Sequence, residues 1–283
     1  MKETRAEHLP VEKLRPFNGH PFKVVDNEEM DQLVWSILTQ GLLTPLVVRP
    51  LDNGKYEVIS GHRRLHACRK AGIKTVPALI YAIDRDAAAI ALVDSNLHRE
   101  HILPSEKAYA YKLKMDAISR QGKRTDLTLS QVATKYDTAA EIGEQMKESR
   151  DQVFRYIRLT NLHPKLLEYV DEGRIAFTPA VELSYLNDIE QQDLIQTIES
   201  EDCTPSLSQA VRIKKLSQQG LLDDDKIFEI MSEEKANQKE RIKIPTERVR
   251  KYFPESYTKS QIEDAIVKLC EAHYKRRQKQ QER

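Results

Sequence analysis

Apolar residues alternate with polar ones through much of the first eighty positions and recur at helical spacing almost everywhere beyond them. The chain therefore reads as a small mixed region followed by a long helical one. Leu9, Val11 and Leu14 alternate, which predicts one short strand closed by Pro16 and the Asn18-Gly19 turn. Met30, Leu33, Val34, Ile37 and Leu38 share a helical face, predicting a helix from a cap at Asp26 or Asn27 to about Gln40, with Gly41 as its stop. Leu46-Val47-Val48-Arg49 and Tyr56-Glu57-Val58-Ile59 read as hairpin strands joined through Asp52-Asn53-Gly54. A helix beyond Gly61 runs to Ala71 and ends at Gly72, and 75–81 reads as a further strand in which Pro77 favours a sheet edge. Asp84 then caps a helix from about Arg85 to Ser95.

From Glu106 to Lys215 strand alternation is absent, and breaks are expected at Gly122, Pro164, Gly173 and Pro179. Ser105 is the expected cap of the first helix there, which should end near Gly122. Residues 139–146 and 150–159 read as two short helices separated by Lys147-Glu148-Ser149, the length of a helix-turn-helix connection, with Lys147 where a glycine is usual. Connections are expected at 201–208 and 220–225. The tail from Ile227 reads as helical, broken at Ile244-Pro245 and at Phe253-Pro254-Glu255-Ser256, with Ser260 capping a last helix that carries Ile262, Ile266, Leu269 and Cys270. The pattern predicts an α+β region over 1–105, an all-helical region over 106–215 and a helical tail over 216–283.

Composition narrows the function classes. Charged residues make up 31% of the 283 positions and aromatics 6%, yet the formal net charge is only +1, so a nucleic-acid site must come from local clustering. The cysteines Cys68, Cys203 and Cys270 are too dispersed for a zinc site or a disulfide framework, an expectation that fits a reducing cytoplasm. No apolar run approaches membrane-spanning length, and the first residues lack the apolar core of a secretion signal.

Two places carry candidate chemistry. At Ser60-Gly61-His62-Arg63-Arg64 a strand ends, a glycine turns the backbone, and a helix begins with adjacent arginines. Unpaired N–H groups at a helix start suit an anion, and arginine forks grip phosphate. The same arginines also read as solvated first-turn residues, and both readings stand on the pattern alone. In the second helix of the helix-turn-helix, Val153, Tyr156 and Ile157 share one face while Asp151, Gln152, Arg155 and Arg158 share the other, with Ser149 as cap. Arg and Gln in such a row match guanine and adenine edges in the major groove, although an ordinary amphipathic helix has the same periodicity. The basic end Lys275-Arg276-Arg277-Gln278-Lys279 reads either as a phosphate contact or as a solvated terminus. The apolar stripe before it suits self-association or packing on the chain's own helices.

Three segments, Gly41-Leu42-Leu43-Thr44-Pro45-Leu46-Val47-Val48-Arg49, Ser60-Gly61-His62-Arg63-Arg64-Leu65-His66-Ala67 and Ser95-Asn96-Leu97-His98-Arg99, stand in the order and spacing of conserved boxes in a known family. With Leu103-Pro104-Ser105-Glu106 and Ser149-Arg150-x-x-Val153-x-x-Tyr156-Ile157-Arg158-Leu159 downstream, the chain resembles the ParB/RepB family of bacterial partition proteins over about residues 8 to 190. The resemblance implies a small ParB/sulfiredoxin-like N-terminal domain, an all-helical helix-turn-helix domain that binds centromere-like double-stranded DNA through Ser149, Arg150, Gln152, Arg155 and Arg158, and a helical C-terminal tail. It also implies a Walker-type partition ATPase as partner, a homodimer, a cytoplasmic, nucleoid- or plasmid-associated location, and CTP bound with magnesium. Carried over by position, Ser60, Gly61, Arg63 and Arg64 would hold the triphosphate. Thr44 and Pro45 would line the base, while Asn96 and Arg99 would complete the metal and phosphate contacts.

The chain departs from those boxes where His62 replaces a Glu, His66 an Arg, Ser95 a Glu and His98 a Gln. Losing two carboxylates removes groups that a magnesium ion and an attacking water would use, leaving Asp94, one residue away, as the candidate substitute. Slow CTP hydrolysis is the resulting expectation. A regulator of a mobile element without nucleotide gating is the alternative, and ParB-like nuclease chemistry a further one. Thiol chemistry of the sulfiredoxin kind needs a cysteine where this chain has Gly61. Asp84, Asp86 and Asp94 read as cap and helix-surface residues rather than as nuclease metal ligands.

Overall fold

A tight turn splits the alternation at Leu9, Val11 and Leu14. The computed structural model describes residues 4–99, 101–125, 131–233, 249–254 and 257–281. In it Thr4–Pro10 forms strand β1, Val11–Lys13 a single 3-10 turn and Leu14–Pro16 strand β2, where the pattern predicts one strand. Pro10 has no N–H to continue a ladder, and the chain turns directly after it. Glu28–Gln40 is helix α1, capped by Asn27, whose side chain accepts from the Met30 N–H at 3.1 Å. Asp26, the other candidate cap, instead pairs with Lys70 and His66. Leu46–Pro50 (β3) and Tyr56–Ser60 (β4) form the expected hairpin. His62–Lys70 (α2), Thr75–Tyr81 (β5) and Arg85–Asn96 (α3, capped by Asp84) follow.

The strands make one five-stranded sheet in the order β1-β5-β3-β4-β2. β5 is antiparallel to β1 and parallel to β3, so it lies inside the sheet and Pro77 does not mark an edge. Its register partner is His8 on β1, and pairing with β3 begins one residue later, at Ala78 opposite Leu46. The missing N–H therefore precedes the β3 ladder rather than interrupting it. Leu14, Met30, Leu46, Val48, Val58, Leu65 and Val76 fill the core between the sheet and α1 and α2.

Pro104–Thr125 (α4) starts two residues earlier than expected and continues through Gly122; an interior glycine costs a helix about 1 kcal/mol but does not break it. Ser105 is not its cap. The Glu106 carboxylate accepts from the Leu103 N–H at 3.2 Å, while the Ser105 N–H and hydroxyl both donate to Asp171. Gln131–Met146 (α5) begins eight residues before the predicted start, and Arg150–Arg158 (α6) closes the helix-turn-helix. Pro164–Asp171 (α7), Phe177–Leu183 (α8), Asp188–Glu201 (α9), Leu207–Gln218 (α10) and Asp224–Ser232 (α11) complete this part. Pro164 opens α7, and Pro179 lies in the first turn of α8, where a helix needs no N–H partner, so Pro179 is not a break.

Two apolar cores hold the helices. One joins Phe17, Phe22 and Ile59 to Leu92 and Val93 of α3, Tyr111 of α4, Ile142 of α5 and Val153 of α6. The other gathers Leu159, Leu166, Leu183, Leu194, Ile213 and Ile230. Between α3, α4 and α5 lies one buried cation. Lys114, 1% exposed at its side chain, donates to Asp94 at 2.5 Å and to Gln145.

The chain divides into two compact units, Met1–Glu233 and Glu234–Arg283. In the second, Lys259–Gln281 forms α12. Thr258 rather than Ser260 stands at its head, its N–H donating to the Gln261 carboxamide oxygen at 2.8 Å. Ile262 is buried, while Val267, Leu269 and Tyr274 are exposed. The predicted break at Ile244-Pro245 and residues Glu255 and Ser256 of the other lie outside the described residues.

Candidate functional site

The end of β4 delivers the backbone into a turn that only glycine suits. A register shift in the β3–β4 pair lies between Val47 and Val48, with Val47 opposite Ser60, and such bulges re-aim the strand ends they adjoin. Gly61 caps α2 with φ 102° and ψ 28°, a left-handed conformation that disfavours any Cβ. A Cβ there would also lie 2.6 Å from the Leu46 side chain and 3.0 Å from the Arg64 guanidinium.

Around this turn Ser60, Gly61, His62, Arg63, Arg64, Ser95, Asn96 and Arg99 line one cavity of about 180 Å³. The first five come from the β4–α2 corner and the others from the end of α3, thirty residues on. Thr44 and Pro45 lie beside it: Arg64 donates to both their carbonyls, at 2.5 and 3.0 Å, and ties that segment to α2. Arg64 is thus a brace for the turn as well as a wall of the cavity. Arg63 reaches the exposed Glu29 at 3.0 Å. A neighbouring cavity of about 580 Å³ shares Arg63 and Arg99 and adds Lys23, Asn27, His101 and Glu106.

No carboxylate lines the smaller cavity. Burial lowers the basicity of Arg99, with the charge of Arg63 acting in the same direction and Glu106 opposing it. Burial also lowers that of Arg64. An anion placed between Arg63 and Arg99 relieves their mutual repulsion and meets the open start of α2. His62 adds no positive charge. Its Nε2 accepts from the Phe17 N–H at 3.2 Å, and its ring packs on His20 with centroids 3.7 Å apart. Burial pushes its pKa down to about 3, helped by His20 and Arg99, and that of His20 to about 4.

The donor set fits a polyphosphate better than a protein-held metal. Asn96 donates through its carboxamide nitrogen to the Leu92 carbonyl at 2.7 Å and to the Ser95 hydroxyl at 3.2 Å, which leaves its Oδ1 as a hard oxygen suited to a cation. Magnesium accepts such a site when phosphates and water complete its shell. Asp94 does not substitute for the absent carboxylates, because it is committed to Lys114. Asp84 is a helix cap, and Asp86 is not a surface residue but buried and paired with Arg120. Among the described residues no three His, Cys, Asp or Glu side chains cluster as a metal site. Cys68 is buried, and burial raises its thiol pKa.

In the helix-turn-helix, Lys147 adopts φ 56° in place of the usual glycine. The glycine that matters lies inside α5: a Cβ on Gly143 would sit 2.6 Å from the Glu148 carbonyl oxygen, and the Glu148 N–H donates to the Gly143 carbonyl at 2.8 Å. The Glu148 carboxylate fastens the turn to α4 through the Tyr111 hydroxyl at 2.9 Å and through Lys107. Ser149 caps α6 by accepting from the Gln152 N–H at 3.1 Å. Ser149, Arg150 and Asp151 are exposed, and Gln152 is partly so. Arg155 and Arg158 are half-buried. Arg155 donates to Thr178 at 3.1 Å, whereas the Arg158 guanidinium lies 3.3 Å from the ring centroid of Tyr185. The structure therefore spreads Ser149, Arg150, Gln152 and Arg155 from the head of α6 to its last turn and turns Arg158 toward α8 and the residues after it. Gly143, Glu148, Lys114, His20 and Thr178 carry no periodic signal and were not singled out by the pattern.

Fold and sites together define a two-module protein, a mixed-sheet domain with an arginine-lined cavity followed by a helix-turn-helix domain. Residues 1–97 match the family described as the ParB N-terminal domain, and residues 128–217 match the ParB HTH domain. A probable chromosome-partitioning protein ParB from Vibrio cholerae is 31% identical over 216 residues, covering 76% of this chain and 68% of that protein. A nucleoid occlusion protein from Geobacillus kaustophilus is 40% identical over 113 residues, covering 39% of this chain and 40% of that protein. The chain thus spans less than half of the Geobacillus relative. Two crystal structures of C-terminally truncated ParB from Caulobacter crescentus also align. The one complexed to the centromeric parS site has a TM-score of 0.41 at 23% identity, covering 75% of this chain and 99% of that one. The one complexed with CTP-gamma-S has a TM-score of 0.32 at 25% identity, covering 69% and 99%. The chain belongs to the ParB family.

Proposed function

We propose that this chain binds a specific double-stranded DNA site through α5 and α6 and holds CTP with magnesium at the Gly61 turn. In this reading it acts on the nucleoid or a plasmid in DNA segregation or nucleoid occlusion, as a homodimer working with a Walker-type partition ATPase. One observation carries the nucleotide half. Ser60–Arg64 and Asn96–Arg99, far apart in sequence, meet around one cavity with arginines on its wall, an open helix start and no carboxylate in its lining. Within it Ser60, Gly61, Arg63, Arg64 and Arg99 hold phosphates, Asn96 offers Oδ1 to the metal, and Thr44 and Pro45 border the base. The choice of CTP over other triphosphates follows family membership.

Hydrolysis is slow in this proposal. The His62 Nε2 is occupied by the Phe17 N–H, and Ser95 offers only a hydroxyl that donates to the Leu92 carbonyl; neither polarises a water as a carboxylate does. Titration calorimetry with CTP and magnesium tests the site. Arg63→Ala combined with Arg99→Ala should weaken binding at least tenfold, since charge-assisted contacts contribute roughly 1.5–3 kcal/mol each. Equal affinity in wild type and the double variant refutes it. Phosphate release in the presence of DNA should be slow in wild type and faster in Ser95→Glu. If DNA binding is specific while CTP fails to bind at all, the chain is a helix-turn-helix regulator without nucleotide gating.

A further inference from the structure

Arg155 projects from the last turn of α6, but its guanidinium is held by residues more than twenty positions away. Its Nη2 donates to the Thr178 hydroxyl at 3.1 Å, its Nη1 faces the Gln152 carboxamide oxygen at 3.3 Å, and its Cζ lies 5.1 Å from the centroid of the Phe177 ring. Phe177 and Thr178 are the first two residues of α8, and α8 is itself fixed. Ala180 and Leu183 are buried, and Phe177 packs on Tyr156 of α6 at 4.6 Å. The tip of a flexible side chain thus rests on a rigid second helix.

We infer that Thr178 is a positioning residue that sets the orientation in which Arg155 meets a base, so base preference is written jointly by α6 and α8. This rests on the proposal that Arg155 reads DNA. An arginine fork has five N–H donors in one plane, and two parallel ones suffice for the O6 and N7 of guanine. Thr178 and Gln152 engage one donor on each terminal nitrogen, and the guanidinium lies over the Phe177 ring. That leaves Nε–H and one N–H on each terminal nitrogen, all with their direction already fixed. Ordering a long side chain only on binding carries an entropic cost that this arrangement removes beforehand. It also excludes other poses of the fork that would accept a different base or a phosphate.

The test uses the full-length protein and a duplex site recovered from a random library, with every single-base variant of it measured by fluorescence anisotropy. Thr178→Val keeps the shape and removes the hydroxyl; it should reduce discrimination at the one base pair that Arg155→Ala affects by roughly tenfold, within the range expected of a bidentate base contact. Discrimination at other positions and affinity for unrelated DNA should hold. Thr178→Ser should restore the preference, and Thr178→Val should add nothing in an Arg155→Ala background. Unchanged discrimination in Thr178→Val beside collapse in Arg155→Ala overturns the inference alone. An even loss of affinity across all sites overturns it too, because it marks a structural or phosphate role. Unchanged preference in Arg155→Ala refutes the base-reading proposal and this inference together.

Discussion

Two histidines that pack ring on ring, His20 and His62, make the turn before α2 sensitive to acid. Both are neutral in the fold and held far below the ordinary value of 6.5, to about 4 and about 3, chiefly by burial. Protonation of His62 would also cost its acceptor role toward the Phe17 N–H. Above pH 6.5 both folded and unfolded chains carry neutral rings, so this pair adds no pH dependence there. As the pH falls below 6.5 the unfolded chain takes up protons that the folded chain refuses, and stability is lost progressively toward pH 4 to 3. Urea unfolding at pH 7 and pH 5 should show that loss in wild type and a smaller one in a His20→Phe, His62→Gln variant, whose glutamine keeps an acceptor for Phe17. Identical losses in the two proteins would exclude the pair as its source. The sequence placed His62 at the head of a helix and marked it as a departure from a glutamate. It gave no sign that His20, forty-two residues earlier, would face it, because that meeting depends on how the loop after β2 folds back over α2.

Among the elements, the helix-turn-helix is held by contacts that periodicity does not display. Its second helix was legible from Val153, Tyr156 and Ile157 and from the Ser149 cap, but the closeness of the turn to α5 is allowed by Gly143. Gly143→Ala is expected to destabilise the domain by roughly 1–3 kcal/mol, the usual cost of overpacking, because its neighbour is a backbone carbonyl that cannot swing aside. Thermal unfolding monitored by circular dichroism measures it, and an unchanged midpoint would mean that the turn opens freely. Propensity misled elsewhere for related reasons. Ser105 resembles a cap, yet Asp171, sixty-six residues on, claims its hydroxyl, and Glu106 serves the helix start. Pro77 resembles an edge residue, yet the late start of its β3 ladder lets it sit inside the sheet.

For the whole molecule the charges nearly cancel, so binding to a polyanion rests on where cations gather rather than on the total. In the second compact unit α12 exposes Val267, Leu269 and Tyr274. Val267 and Tyr274, seven residues apart, share one face of this helix, a helix gains stability by burying such a face, and self-association through α12 is the expected outcome. Light scattering on full-length Val267→Glu, Tyr274→Glu protein should give the mass of one chain where wild type gives a multiple. An unchanged multiple would place the contact elsewhere.

The sequence by itself determined the mixed first region and the helical remainder, helices α1, α2, α3 and α6, the glycine turn at Gly61, and the family boxes that nominate Ser60, Arg63, Arg64, Asn96 and Arg99. These are local matters of periodicity, capping and backbone sterics, each set by residues within a few positions of one another. Tertiary structure decided what those groups face. It braced Arg64 against the carbonyls of Thr44 and Pro45, committed Asp94 to the buried Lys114, turned Arg158 onto Tyr185 and rested Arg155 on Thr178. Each of these pairings joins positions separated by roughly twenty residues or more along the chain. A side chain's partner at that range is fixed by how the elements pack, and no local pattern encodes it.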